Sequence, residues 1–139
     1  MGEEEDAARR RRTRLLQRYV LNPPAKLAVW TGLIPSYALV ETVGRKSGKR
    51  RRNVVGMHVE GDTGWVVAEQ GRHAGYVANL MATPGVRVRI RGRWRRARAH
   101  VLLEDDADAR LAAFSKSHAA TVRRFGTDLT TIRFDLDPA

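Results

Sequence analysis

"ETVGRKSGKRRRNVV", residues 41–55, sets two apolar, β-branched stretches on either side of a glycine-hinged turn. That spacing predicts two antiparallel strands joined by a short connection. Six cations fall within the nine positions Gly44–Arg52. Like charges gathered this closely repel one another, so folding alone gives no reason to collect them, and the turn is expected to meet an anion.

Working outward, Tyr37–Val43 is expected as the first strand, Asn53–Val59 as its partner, and "EGDTG" at 60–64 as a turn into a third strand, Trp65–Ala68, which makes a β-meander. The loop "EQGRHAG" leads to a short helix, Tyr76–Ala82, stopped by Pro84. Val86–Arg91 and Trp94–Leu103 read as a hairpin around Gly92-Arg93. In it Val86, Val88 and Ile90 alternate with Arg87, Arg89 and Arg91, the period of a strand with one buried and one wet face. The arginine row reads as a solvated face that also discourages edge pairing, ahead of a surface for a nucleic-acid backbone. Asp105 and Asp108 have N-cap and first-turn placement for a helix running to about Arg124, and Thr131–Leu136 is the last strand. Strands outnumber helices and no strand–helix–strand repeat occurs, which predicts a mainly β (α+β) domain, a small antiparallel barrel with accessory helices.

The chain of 139 residues suits a single core, burying roughly 68–70% of its unfolded surface. Its net charge of +11 attracts polyanions, whether nucleic acid, anionic lipid or a multiply charged cofactor. With no cysteine there is no disulfide, thiolate nucleophile or zinc knuckle, and a reducing cytoplasm is the expected compartment. Residues 1–21 read as a basic amphipathic helix without the apolar core of a signal peptide. Its Leu15, Leu16, Tyr19 and Val20 are expected to dock on the domain, to stay solvated, or to make peripheral contact with the inner face of the membrane. Residues 22–36 read as a linker and 37–139 as the barrel domain. The most apolar run, Leu27–Val40, is interrupted by Gly32 and Pro35, so a soluble protein is expected.

The 44–52 turn is not a P-loop, because three residues rather than four separate Gly44 from Gly48 and arginine follows Lys49. What remains is a strand-to-strand loop in which Arg45, Lys46, Arg50 and Arg51 can fork onto phosphate or carboxylate oxygens and Ser47 can donate a hydroxyl. Such a loop suits a ligand with several separated negative charges.

Together with "VVAEQGRHAGYVANLMATPGVRVRIRGRWRRARA", the opening stretch resembles the deazaflavin-dependent nitroreductase family of actinobacterial and related oxidoreductases. The resemblance runs from about Tyr37 to Leu103 and rests on the Gly-Arg-Lys-Ser-Gly loop followed by Tyr-x-x-Asn-Leu-x-x-x-Pro. It implies a split β-barrel of the FMN-binding, pyridoxamine-phosphate-oxidase-like type. It also implies a reduced 8-hydroxy-5-deazaflavin coenzyme (F-420), whose tail carries a phosphodiester and an oligoglutamate chain. Carried over position by position, Arg45, Lys46, Ser47, Gly48 and Arg51 would hold the phosphate and tail, with Tyr76 and Asn79 by the ring and the start of the tail. Many relatives have Ser-Lys-Gly-Gly where this chain has Glu69-Gln70-Gly71-Arg72, and Arg72 would replace the missing cation. The implied reaction is hydride transfer to a small electron-poor acceptor, a quinone, activated alkene or nitroaromatic. FMN or haem in the same barrel, or a nucleic-acid-binding module, are the alternatives. The resemblance leaves both monomer and homodimer open.

Among single residues, Glu69, His73 and Tyr76 are the candidates for proton transfer. The four histidines show no metal-ligand spacing. His118 reads as a hydrogen-bonded core residue on one helical face with Leu111, Phe114 and Phe125, though Phe114, His118 and Phe125 are also the aromatics available to a substrate pocket. His58 and His100 read as strand residues, Tyr37 as a second ring that could stack, and Trp30, Trp65 and Trp94 as core or barrel rim.

Overall fold

The computed structural model describes residues 23–32 and 36–138. The helix expected over residues 1–21 lies outside them. The chain runs α1 (Pro23–Thr31), β1 (Tyr37–Val43), β2 (Arg50–Gly56), β3 (His58–Glu60), β4 (Thr63–Ala68), a 3₁₀ turn (Gly71–His73), α2 (Gly75–Ala82), β5 (Gly85–Ile90), β6 (Arg93–Leu102), α3 (Ala107–Arg110), a second 3₁₀ turn (Leu111–Ala113), α4 (Lys116–Phe125) and β7 (Thr130–Leu136).

All seven strands join one antiparallel sheet in the order β2-β1-β5-β6-β7-β4-β3. The expected meander is therefore wrong at its second step. The single strand predicted for residues 53–59 divides at Met57, so that β2 pairs with β1 while β3 pairs with β4 at the opposite edge. Since only Met57 separates the two edges, the sheet has to curl until they meet. This is the split β-barrel that the family resemblance implies. Met57 is buried, and the closure is tight: a Cβ on Gly64 would lie 2.8 Å from its sulfur.

Strand alternation fills the inside. Ala38 and Val40, Val55, Val66 and Ala68, Val88, Ala97 and Ala99, and Ile132 and Phe134 form one buried cluster, joined by Val77 and Leu80 of α2. A second cluster lies between β4 and the later helices, from Val67, Ala107, Leu111, Ala119 and Val122. The helix expected to reach Arg124 unbroken is interrupted. Phe114 is extended, and the Ser115 hydroxyl accepts the His118 amide to cap a new helix, α4. The preceding helix, α3, is capped in the same way by Asp106, while Asp105 pairs with Arg110 and Thr131.

The outer face of β1 and β5 is not bare. Residues 23–31, expected within a linker, form α1, whose Val29 is buried and whose Trp30 packs edge-on to Trp94 with centroids 5.7 Å apart. Glu41 stands at the middle of β1, directly across from Arg52 on β2 and Arg87 on β5. Its carboxylate, only 6% exposed, accepts from Arg87 Nε at 2.7 Å and from Arg52 Nε at 3.0 Å. Arg87 lies 4.2 Å over the Trp94 ring and Arg89 4.0 Å over Trp30, with Arg89 also donating to the Trp30 carbonyl. Of the expected solvated arginine row, Arg87 and Arg89 thus belong to a half-buried stack of guanidinium, indole and carboxylate groups, while Arg91 is exposed.

The Arg87 hydrogen bond, reinforced by Arg52 and opposed by burial, holds the Glu41 carboxyl below its ordinary 4.5. Glu41→Gln is expected to destabilise the fold by about 2 kcal/mol, the scale of hydrogen bonds to a charged group. A depressed carboxylate pKa stabilises the folded state above the unfolded value. The gap between wild type and variant in urea midpoint should therefore be steady above pH 4.5 and close as pH falls through the lowered pKa.

Candidate functional site

Between β2 and β4, which approach without sharing a ladder, lies a cavity of about 870 Å³. Alternation along β2 decides which cations reach it. Arg51, Asn53 and Val55 line the cavity, whereas Arg50 and Arg52 reach toward Glu41 on the other face, Arg50 at 3.9 Å. Arg51 is paired in register with Thr42, whose side chain is buried on the same inner side.

The 44–49 loop closes on itself. The Gly44 amide donates to the Lys49 carbonyl at 2.8 Å, the Gly48 amide to the Gly44 carbonyl at 2.8 Å, and the Lys49 amide to Ser47 Oγ at 3.2 Å. A Cβ on Gly44 would sit 2.7 Å from Ser47 Oγ, and Gly48 has φ +70°, so both glycines are required by the turn. Buried Asn79 of α2 then ties the loop down. Its Oδ1 accepts from the Arg45 amide at 3.2 Å and from Arg45 Nη1 at 3.1 Å, while its Nδ2 donates to Thr42 Oγ1 at 3.2 Å. Arg45, Lys46 and Arg51 are left at the rim with no carboxylate partner among the described residues.

Apolar and aromatic side chains, Tyr37, Val54, Val66, Tyr76, His118 and Phe125, make up much of the rest of the lining, with Tyr37 and His118 at the Gly56 end of β2, away from the 44–49 loop. Glu69 also faces the cavity, and burial raises its carboxyl above the usual range. Burial, then the charge of Glu69, pushes the Tyr76 phenol far up, so Tyr76 stays protonated. One end can therefore neutralise anionic groups while the other receives a flat, weakly polar ring. Among the described residues no cluster of metal-ligating side chains occurs.

Of the residues singled out in the sequence, Arg45, Lys46, Ser47, Arg51, Glu69, Gln70, His73, Tyr76 and Asn79 all line this one cavity. Gly48, Gly71 and Arg72 lie outside its lining. Gly71, at φ +49°, is held close to Asp128, and the Arg72 amide donates to Asp128 Oδ2 at 3.3 Å, so this segment secures the loop. Gln70 is also engaged, accepting from the Thr127 hydroxyl at 2.9 Å and donating to the Phe125 carbonyl at 3.4 Å. His118 is half-buried and faces the cavity, because the break at Phe114 ends the continuous helical face on which a core position was expected. Asn53 and Thr121 also line the cavity without having been singled out. Asn53 was discoverable from its position two residues beyond Arg51, and Thr121 from its place three residues beyond His118.

A model of the F420H(2)-dependent quinone reductase family matches residues 10–137. Solved structures share the fold. One is described as an F420-H2 dependent reductase (FDR-A), at 22% identity, with 71% of this chain and 93% of that chain covered and a TM-score of 0.53. Another is the haem storage protein HutZ from Vibrio cholerae, at 14% identity, 86% and 92% coverage and a TM-score of 0.56. A third, from Clostridium acetobutylicum, is related to general stress protein 26 of the pyridoxinephosphate oxidase family, at 12% identity, 73% and 75% coverage and a TM-score of 0.54. No curated protein matches the chain.

Asn79→Ala is expected to cost about 1–3 kcal/mol, since it leaves the Arg45 amide and the buried Thr42 hydroxyl without their partner. Amide hydrogen exchange at Arg45 should accelerate markedly. Ser47→Ala, which frees only the exposed Lys49 amide, should change it little.

Proposed function

The chain belongs to the F420H(2)-dependent quinone reductase family, and on that premise we propose that the β2–β4 cavity holds the reduced deazaflavin coenzyme and presents it to a small electron-poor acceptor. The observation that carries this reading is the cavity's polarity. Three rim cations without carboxylate partners, Arg45, Lys46 and Arg51, line it together with the rings and aliphatic side chains of Tyr37, Val66 and Tyr76, Tyr37 lying at the end of β1 away from the cationic loop. This donor set fits a coenzyme with an anionic tail and a flat ring.

When bound, the coenzyme supplies the hydride. The chain's own part is binding, orientation and exclusion of water. The forked guanidinium groups of Arg45 and Arg51 and the ammonium of Lys46 neutralise phosphate and carboxylate oxygens, with the Ser47 hydroxyl free to donate beside them. Asn79 keeps Arg45 in place. Val55, Val66 and Val67 make the wall dry, and Tyr76 keeps its proton as a hydrogen-bond donor toward the cavity. The acceptor belongs to the quinone, activated-alkene or nitroaromatic class.

The nucleic-acid alternative is not favoured, because Arg52, Arg87 and Arg89 are engaged by Glu41 and by the Trp30 and Trp94 rings. Peripheral membrane contact would rest on residues 1–21, outside the described residues. Among those described, no helix is long and apolar enough to cross a membrane.

Fluorescence titration of purified protein with coenzyme F-420 tests the reading. Arg51→Ala and Lys46→Ala should each weaken binding by about 10–100-fold, the scale of one charge-assisted contact. Arg50→Ala, one position along but on the opposite face, should leave affinity within about twofold. Retention of FMN instead of F-420 after gel filtration would refute the cofactor assignment.

A further inference from the structure

A second cavity, of about 1100 Å³, lies on the other side of Met57, between β3 and the β5–β6 hairpin. Tyr37 and His118 line both cavities. The His118 imidazole occupies the space into which a side chain at Gly56 would project: a Cβ there would collide with the ring. Only glycine at that point of β2 leaves room for a histidine from α4 to lie against the strand, beside Tyr37. The ring is fixed on its other sides by Phe114, at 5.2 Å between centroids, and by Tyr37, whose hydroxyl is 3.5 Å from Nδ1.

Hydride addition to a C=O or C=C bond puts an electron pair on the acceptor's oxygen or conjugated carbon, and the reduction is completed only when a proton arrives there. Of the three proton-transfer candidates named from the sequence, Tyr76 holds its proton too tightly to give it up, and Glu69 and His73 do not line the second cavity. His118 does.

We propose, resting on the functional reading above, that His118 is the proton donor to the reduced acceptor, delivering its proton into the coenzyme cavity and recovering one from the second cavity, with Tyr37 holding the ring in register. The acceptor gains a hydride from the reduced deazaflavin and a proton from the His118 imidazolium, which becomes neutral imidazole. A quinone carbonyl thus ends as a hydroxyl. Tyr37 on β1 and Phe114 touch the ring; the charged and titratable groups that share its cavities are Arg45, Lys46, Arg51, Glu69, His73 and Tyr76 on the coenzyme side and His58, Arg91, Arg93, Arg95, Arg96 and Asp137 on the other. Burial lowers the His118 pKa below its ordinary 6.5, which makes the imidazolium a stronger acid but a scarcer one at neutral pH.

Two measurements test this. In the protein without coenzyme, the His118 imidazole resonances followed by NMR should titrate with a midpoint below 6.5. A ring that does not titrate between pH 4 and 8 would overturn the proposal. With reduced F-420 and menadione as the acceptor, wild-type kcat should rise as pH falls toward that midpoint. His118→Gln should be slower by about 100-fold or more and flat over the same range, with F-420 affinity within about twofold. Imidazole added to His118→Ala, which opens a hole beside Gly56, should restore part of the rate. His118→Gln or His118→Ala proteins that bind F-420 and keep the wild-type rate and pH limb would sink the proposal. Failure of the wild-type protein to bind F-420 at all is a different result, and it would overturn the functional reading and this inference with it.

Discussion

One residue, Met57, joins strands at opposite edges of a seven-stranded sheet, and this chain continuity forces the sheet to curl. Both cavities follow from it. Where β2 comes up to β4 without hydrogen bonding, a seam remains on one side of Met57. On the other side β3 stands off from the β5–β6 hairpin. The backbone groups that would have paired across a closed barrel give way to side chains, and this is where the cations, the tyrosines and His118 converge.

Electrostatics divides along the same strands. Glu41 is paired in register with Arg52 and Arg87, so cross-strand attraction takes up cations on the outer face and helps to hold α1 through the tryptophans. The inner face of β2 offers no carboxylate opposite Arg51, since its partner there is Thr42. A charge run that looks uniform along the chain is thus two populations. One is neutralised and structural, and the other is uncompensated and available to a ligand.

Much of this was legible beforehand. The loop, its glycines and the Arg45–Lys46–Ser47 triplet declare themselves by local spacing, because a tight turn is decided by neighbouring residues, whereas Tyr76 and Asn79 stand out only through the family resemblance. Strand extents came within a few residues for the same reason. Asn79 was expected beside a ligand; it lines the cavity, and its side chain also clamps Arg45 to the helix. Arg72 and Gln70 were expected at the cofactor; Gln70 lines the cavity and Arg72 does not, and Asp128 and Thr127, more than fifty positions away, engage their segment. Nothing in either local stretch signals such a contact.

The chain's sequence by itself determined most of the strands, the antiparallel barrel class and the presence of an anion-seeking loop, since period, turn chemistry and charge density act over a few residues. Only the tertiary structure decided that Asn53–Val59 breaks to serve both edges, that Arg51 rather than Arg50 or Arg52 enters the cavity, and that His118 lies in the space left by Gly56. The physical reason is that these outcomes depend on which strand lies opposite which. That register is settled by the joint burial of the whole sheet, not by any one segment.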